Sequence, residues 1–113
     1  MTDIDEITNA LIKFRNDRDW EQFHDSKNLA TAIAIEAAEL NELFLWKNNI
    51  DDINNVSKER LSEELADVFS FAFLLAEKNN LNVKDIVLNK IIDNDKKYPV
   101  SKAKGTSKKY TEL

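Results

Sequence analysis

The sequence predicts an all-α protein that resembles a four-helix bundle. Its 113 residues contain one glycine, Gly105, and one proline, Pro99, whereas a β-rich fold normally needs more turn-forming residues than this. Apolar residues recur at helical spacing in four stretches of the chain. The length is typical of a single domain, residues 1–113, that buries one modest core.

Two helices are expected in the first half of the chain. The first runs from about Asp3 to Arg18, with Thr2 as its N-cap and Asp5 completing a weak capping box. A connector over residues 19–27 follows, in which aromatic residues provide apolar anchors. The second helix is expected to begin after Ser26, as its cap, and to end near residue 48.

A third helix follows a polar loop that covers residues 48–56. It is expected to begin after Ser57 and to end at about Lys78. Between Val68 and Leu75 nearly every face of this helix is apolar, and a helix that is apolar all round is buried all round. We therefore expect a homo-oligomer, a dimer or a tetramer, in which a second subunit covers part of it. An ordinary central core helix is the alternative.

The fourth helix is expected to begin after Asn82 and to continue to about Lys97, where the Tyr98–Pro99 pair ends it. The remaining residues, from about 100 to 113, are rich in lysine and show no helical periodicity. We expect them to form an extended basic tail.

Two acidic clusters inside the apolar helices are the main functional signal. Glu36 and Glu39 lie on the second helix, and Glu64 and Asp67 lie on the third. Residues three apart share one face of a helix, so two facing pairs would bring four carboxylates together. Such a cluster resists burial unless a cation offsets its charge. Oxygen ligands of this kind suit Mg²⁺, or Mn²⁺ as a substitute.

The acidic pairs have two other possible interpretations. In the first, the carboxylates form a solvated helix face. The residues at i+4 from Glu36 and Glu39 are Leu40 and Leu43 rather than basic residues. Neither glutamate therefore has a local ion pair, which weakens this interpretation. In the second, they bind a di-iron centre; the chain has only His24, and such centres use two histidines. His24 is expected to be a loop residue rather than a ligand.

Candidate substrate-binding residues lie on either side of these clusters. With one glycine the chain cannot form a Gly-rich phosphate loop, so metal and basic side chains must hold any phosphate. Lys90, Asn94 and Lys97 can supply such contacts near the end of the fourth helix. The aromatic residues Trp20, Trp46 and Tyr98 can stack on a base, with packing in the core as the alternative. Trp46 is expected on roughly the same helical face as Glu39.

Composition limits the partners and the compartment. The formal net charge of −5 gives no general footprint for a nucleic-acid polymer. The longest apolar stretch is too short to span a bilayer, and no signal peptide is recognisable at the N-terminus. The chain has no cysteine, which excludes disulfides and thiolate sites. We expect a soluble, cytoplasmic protein that makes no contact with membranes.

These residues together resemble the MazG-like family of all-α nucleoside triphosphate pyrophosphohydrolases, especially its dCTP pyrophosphatase branch. The likeness covers nearly the whole chain in order. The matching segments are Arg18 to His24, Glu36 to Leu40, Glu42 to Lys47, Glu63 to Val68, the set Lys90, Asn94 and Lys97 to Pro99, and Ser107 to Leu113. The resemblance implies the MazG-like fold and hydrolysis of a (d)NTP to a (d)NMP and pyrophosphate with Mg²⁺.

Site roles follow from the same resemblance, position by position. It implies that the metal ligands are Glu36, Glu39, Glu64 and Asp67, with Glu36 or Glu39 acting on the attacking water. It also implies that phosphate and sugar contact Lys90, Asn94, Lys97 and Tyr98, and that Trp20 and Trp46 enclose the base. The chain departs from the family at Ile35, where a further acid is usual, and at Leu11, where the dCTP branch has histidine.

The predicted function is therefore hydrolysis of dCTP or another pyrimidine dNTP, in sanitation of the nucleotide pool. The rival interpretation is a non-catalytic helical interaction module with solvated acidic faces. Preferred base, number of metal ions and dimer versus tetramer stay open at this point.

Overall fold

The computed structural model describes all residues from 1 to 113 and consists of helices, turns and loops. This confirms the all-α prediction. Six α-helices follow one another along the chain: α1 (Asp3–Asp17), α2 (Ser26–Glu42), α3 (Ile50–Asn54), α4 (Lys58–Lys78), α5 (Val83–Lys97) and α6 (Val100–Ala103). The chain divides into two compact units, Met1–Leu81 and Asn82–Leu113. None of the helices combines the length and the apolar character that a membrane span requires.

Helix α1 begins and ends with well-defined caps. The backbone N–H of Asp5 donates to the Thr2 hydroxyl at 3.1 Å, and the Thr2 N–H donates to the Asp5 carboxylate at 3.2 Å, which confirms the predicted capping box. These bonds lower the pKa of Asp5. At the other end Asp19 adopts a left-handed φ of 55°, and the Trp20 N–H donates to the Arg15 carbonyl at 3.0 Å. This is a Schellman motif, which turns Trp20 back toward α1.

Helix α2 differs from its prediction at both ends. Its N-cap is Asp25 rather than Ser26, because the Asp25 carboxylate accepts from the Asn28 N–H at 2.7 Å. It ends at Glu42, well before residue 48. After Glu42 the hydrogen bonds shorten to the i→i−3 type, which tightens the chain and buries Leu43. Trp46 then adopts a φ of 64°, so the prediction that it continues the helical face of Glu39 is wrong.

The bounds of helix α4 in the structure agree with those predicted from the sequence. Ser57 caps it by accepting from the Arg60 N–H at 3.3 Å. It ends in a second Schellman motif, in which Asn80 has a φ of 55° and the Leu81 N–H donates to the Ala76 carbonyl at 2.9 Å. The loop before it contains the short helix α3, capped by Asn49.

In the first unit α2 packs along α4, and α1 packs on α4. Few residues are buried: Leu29, Leu43, Leu74, Ala76 and Arg15. The Arg15 guanidinium donates to the Glu77 carboxylate at 3.1 Å and lies 3.8 Å from that of Glu21. This buried cation is paired, as burial requires, and it connects α1 with α4 and with the connector.

The second unit consists of α5, α6 and the C-terminal segment. Asn82 caps α5 by accepting from the Asp85 N–H at 3.0 Å. The segment after Pro99 is not extended throughout, contrary to prediction, since it forms α6 and a 3₁₀ turn over Tyr110–Glu112. The Tyr110 ring packs edge-on against Tyr98, with centroids 6.0 Å apart, and under the Lys97 ammonium. These aromatic contacts hold the C-terminal segment in a defined structure, which the sequence pattern alone does not predict. The assignment of residues 1–113 to one domain stays a prediction.

Candidate functional site

The face where α2 meets α4 carries the acidic residues. Glu36 points from α2, and Glu64 and Asp67 point from α4. One carboxylate oxygen from each of these three residues lies within 4.8 Å of the other two. Glu39, one turn along α2 from Glu36, is close enough for its carboxylate to act on both Glu36 and Glu64. The structure thus brings together the residues of both predicted acidic pairs.

Burial and the close approach of negative charges raise the pKa of two carboxyl groups in this cluster, those of Glu36 and Glu64. Burial raises the pKa of Glu36 to about 7, with further contributions from a hydrogen bond to Glu39 and from the charges of Glu39, Asp67 and Glu64. Burial also raises the pKa of Glu64, again helped by Glu39 and Asp67, while Arg60 acts in the opposite direction. The Oε2 atoms of Glu36 and Glu64 are enclosed and have no hydrogen-bond partner.

These residues fit a divalent cation. Buried carboxylate oxygens normally have a hydrogen-bond partner or bind a metal, and two of the oxygens here have no hydrogen-bond partner. Mg²⁺–O distances of about 2.1 Å place the ligand oxygens of one ion within about 4.2 Å of each other, so a spread of at most 4.8 Å is close to what a single ion needs. The donor set is all oxygen, which suits Mg²⁺ or Mn²⁺.

A cavity of about 420 Å³ opens directly beside the cluster. Its apolar wall consists of Leu11, Phe14, Trp20, Phe71 and Leu74. Its polar lining consists of Arg15, His24, Glu36, Asp67 and Ser70. A mostly apolar hollow with a few polar groups at one side is the usual form of a small-molecule site. Its size is that of a nucleoside rather than of a polymer.

Local structure explains how the connector reaches this cavity. The Schellman motif after α1 places the Trp20 ring edge-on to Phe14, with centroids 5.7 Å apart. A 3₁₀ turn over Glu21–Phe23 then brings His24 back toward α4, 6.4 Å from Trp20 and 6.4 Å from Phe71 between ring centroids. The Asn28 amide donates to the Phe23 carbonyl at 3.0 Å and fixes the turn to α2.

His24 is the site residue that sequence reasoning missed. It was expected to be an ordinary loop residue, yet it lines the cavity and its Nδ1 atom is enclosed without a partner. Burial, and next the nearby Arg15 charge, lower the pKa of His24. The available signal was the presence of Trp20 and Phe23 close to His24 in a short, otherwise polar connector.

The other predicted substrate-binding residues lie elsewhere. Trp46 is 82% exposed and lines a separate hollow of about 310 Å³ with residues of the α2 C-terminus. Within one chain, therefore, Trp20 and Trp46 do not face a common cavity. Lys90, Asn94, Lys97 and Tyr98 all belong to the second unit, and their role at the site stays a prediction.

Comparison with known proteins decides the family. The MazG-like family model matches residues 31–113, which include α2 from Thr31 onward, the acidic residues of α4 and the whole second unit. The chain belongs to the MazG-like family. It is 37% identical to dCTP pyrophosphatase 1 of Mus musculus over 114 aligned positions, which cover 97% of this chain and 67% of the relative. The human dCTP pyrophosphatase 1 is 36% identical over the same shares.

A solved structure supports the MazG-like architecture independently. A pyrophosphatase from Archaeoglobus fulgidus superposes with a TM-score of 0.84 and 35% sequence identity, covering 88% of this MazG-like chain and 94% of that one. The recognition of the family from sequence and the MazG-like all-α fold are both confirmed. This MazG-like chain therefore has a carboxylate cluster beside a cavity large enough for a nucleoside.

Proposed function

We propose that this chain hydrolyses a nucleoside triphosphate to the monophosphate and pyrophosphate, with Mg²⁺ held by Glu36, Glu64 and Asp67. The main support is that three carboxylate oxygens lie within 4.8 Å of one another, and that two of these residues, Glu36 and Asp67, line a cavity of about 420 Å³. Similarity to dCTP pyrophosphatase 1 and to an archaeal pyrophosphatase supports it. A module with solvated acidic faces would not enclose unpartnered oxygens of Glu36 and Glu64.

The reaction is attack of a water oxygen on the α-phosphorus. The new P–O bond forms as the bond from that phosphorus to the bridging oxygen breaks, and pyrophosphate leaves. Bound Mg²⁺ supplies charge stabilisation for the phosphoryl oxygens and the leaving group. Glu39 is exposed at the edge of the cluster, so water reaches it directly. Its carboxylate orients that water and takes the proton, while Glu36 shares the cluster with it.

The cavity accounts for binding of the nucleoside part. A base that packs on Trp20 lies against an apolar wall, with its phosphates directed toward Glu36 and Asp67 at the other side. Stacking on an aromatic ring contributes about 1–3 kcal/mol per base. We propose a pyrimidine dNTP as substrate, with dCTP the first choice, as the relatives' names indicate. Because Trp46 does not face the cavity of Trp20 within one chain, we propose that assembly into a homo-oligomer brings it to the base. We also propose that Lys90, Asn94, Lys97 and Tyr98 contact phosphate and sugar.

The remaining aspects of the proposal concern assembly and role. Phe69 of α4 is 52% exposed, and Ile91 and Ile92 of α5 are each 56% exposed. We propose that a homo-oligomer, a dimer or a tetramer, covers these apolar side chains. In the cytoplasm such an enzyme would remove unwanted nucleotides before polymerases use them.

A pyrophosphate-release screen tests this function. The parent protein is assayed against all eight common (d)NTPs with Mg²⁺ and again with excess EDTA. Glu64→Gln and Glu63→Gln form a matched pair, because Glu64 belongs to the cluster and its exposed neighbour Glu63 does not. We expect Mg²⁺-dependent release, lost in Glu64→Gln and retained in Glu63→Gln. No release from any nucleotide, or equal activity of the two variants, would contradict the proposal.

A further inference from the structure

A smaller cavity lies where α2 ends and α4 begins. Its volume is about 150 Å³, and its lining residues are Leu43, Lys47, Asn55, Val56, Ser57 and Arg60. Two of these side chains are cationic and none is acidic, although the chain has 21 acidic residues and a net charge of −5. Neither Lys47 nor Arg60 forms an ion pair within the protein. Two like charges at one cavity repel each other, and an anion between them removes this repulsion.

This cavity lies on the same face of α4 as the carboxylate cluster. Residues three or four apart share one face of a helix. Six residues of α4 and its N-cap follow that spacing and all belong to a cavity or to the cluster: Ser57, Arg60, Glu64, Asp67, Phe71 and Leu74. The first two line the small cavity, the next two belong to the cluster, and the last two line the cavity of about 420 Å³. The three features therefore follow one another along a single helix face.

Their order matches the order of the groups in a nucleoside triphosphate. In the proposed function the nucleoside occupies the large cavity and the α-phosphate lies at the cluster, so the β- and γ-phosphates continue beyond it. Arg60 lies four residues before Glu64, which is about 6 Å along the helix axis and similar to the length of two phosphate groups. We propose that Lys47 and Arg60 hold the β- and γ-phosphates in the small cavity, an inference that rests on the proposed function.

The lining groups are suited to phosphate oxygens. A guanidinium can donate to two phosphate oxygens at once, and an ammonium binds them as a compact charge. The Ser57 hydroxyl accepts from the Arg60 N–H at 3.3 Å, which leaves its own proton free for a further acceptor. Burial raises the pKa of Glu64, and the charge of Arg60 opposes this rise. The guanidinium is therefore close to the cluster as well as to the small cavity.

This arrangement lets the cavity distinguish nucleotides by the number of their phosphates. A triphosphate reaches both cations, whereas a diphosphate has no γ-phosphate and loses part of these contacts. At about 150 Å³ the cavity is much smaller than the one proposed for the nucleoside, so the substrate binds in one direction only. Negative charge grows on the pyrophosphate as the bond to the α-phosphorus breaks. Lys47 and Arg60 therefore stabilise the transition state more than the bound substrate.

Steady-state kinetics of three variants test the role of these cations. Arg60→Gln and Lys47→Gln each remove one charge from the cavity. Lys58→Gln is the matched control, because Lys58 lies exposed in the same turn of α4 but does not line the cavity. With the best triphosphate of the pyrophosphate-release screen, expected to be dCTP, we expect kcat/KM to fall about 10-fold in each cavity variant, the effect of one lost hydrogen bond to a charged group. The control should lose less than about 2-fold.

The corresponding diphosphate separates chain-length selection from a general defect. Hydrolysis of dCDP gives dCMP and inorganic phosphate, and it should be impaired less than hydrolysis of dCTP in Arg60→Gln and Lys47→Gln. The preference for dCTP over dCDP therefore falls in these two variants and stays at the parent value in Lys58→Gln. Both cavity side chains belong to exposed residues, so thermal melts should show that the variants fold as the parent does.

Inhibition by the two products gives a readout specific to one end of the site. We expect the inhibition constant of pyrophosphate to rise about 10-fold in Arg60→Gln and to be partly restored in Arg60→Lys, which keeps the charge. The inhibition constant of dCMP should be unchanged in both. Isothermal titration calorimetry with pyrophosphate and Mg²⁺ measures the same loss without turnover.

The outcomes distinguish this inference from the proposed function. Equal pyrophosphate inhibition of the parent and Arg60→Gln, an equal loss for dCMP, or an unchanged preference for dCTP over dCDP would overturn the role of the small cavity. Hydrolysis of dCTP by the parent would leave the proposed function standing in each of these cases. Failure of the parent to hydrolyse any (d)NTP would overturn both.

Discussion

Replacing Glu36 with glutamine should stabilise the metal-free protein and abolish its response to Mg²⁺. The pKa of Glu36 is raised from 4.5 to about 7 by burial and by Glu39, Asp67 and Glu64. The folded chain therefore binds this proton more tightly than the unfolded chain, and stability falls as pH rises from about 4.5 to about 7. At 1.36 kcal/mol for each tenfold change in acidity constant, the full shift corresponds to about 3 kcal/mol.

Solvent at the edge of the cluster screens part of this energy, and we expect about 1–2 kcal/mol to remain. For a domain of this size that is about 4–8 °C in Tm. The assay is thermal melting in EDTA between pH 5 and pH 8. The parent should lose stability over this range relative to Glu36→Gln, and the two should converge near pH 5. Glu63→Gln, exposed and outside the cluster, is the control.

Addition of Mg²⁺ should then raise the Tm of the parent above that of Glu36→Gln. A cation that binds only the folded parent raises its Tm by mass action, and more so at pH 8 than at pH 6, where the proton competes at Glu36. Glu36→Gln should show little Mg²⁺ response at either pH. A difference in Tm between the parent and Glu36→Gln that stays constant from pH 5 to pH 8, together with equal responses to Mg²⁺, would contradict this reasoning. It would show that Glu36 neither has a raised pKa nor binds the cation.

Three further predictions concern catalysis and assembly. Glu39→Gln should reduce pyrophosphate release by at least about 100-fold, since even outer partners of metal ligands contribute 10–100-fold, while circular dichroism shows an unchanged fold; near-parental turnover would remove Glu39 from the mechanism. Trp46→Ala should raise KM for dCTP more than it lowers kcat, because the ring binds substrate and transition state alike; unchanged steady-state constants would show that Trp46 does not contact the base. The parent should be a dimer or a tetramer by light scattering at micromolar concentration, and Phe69→Glu should dissociate it; a monomeric parent contradicts the interface.

Periodicity and capping residues predicted most of the helical framework. Thr2, Ser57 and Asn82 are found as N-caps where they were expected, because a side-chain oxygen that satisfies the first N–H groups is a local property of the sequence. The convergence of Glu36 with Glu64 and Asp67 was also predictable. It requires only that two helices with acidic residues at i, i+3 spacing pack face to face.

Features that depend on tertiary packing could not be predicted from the sequence. The early end of α2 follows from the burial of Leu43 and the left-handed backbone of Trp46, and a helical pattern alone gives no warning of either. His24 reaches the cavity only because a Schellman motif and a 3₁₀ turn fold the connector back on α1. The order of the C-terminal segment depends on Tyr98, Lys97 and Tyr110 meeting across twelve residues of chain.

Hydrolysis of dCTP in ¹⁸O-labelled water shows which phosphorus the water attacks and whether the carboxylate cluster is required. Attack on the α-phosphorus places one ¹⁸O atom in dCMP and none in pyrophosphate, which ³¹P resonance or mass spectrometry of the two products distinguishes. We expect labelled dCMP from the parent and from Glu63→Gln, with Mg²⁺ required, and no reaction from Glu64→Gln. Label in pyrophosphate or inorganic phosphate, or turnover that survives Glu64→Gln and EDTA, would contradict a hydrolytic site built on the carboxylates of α2 and α4.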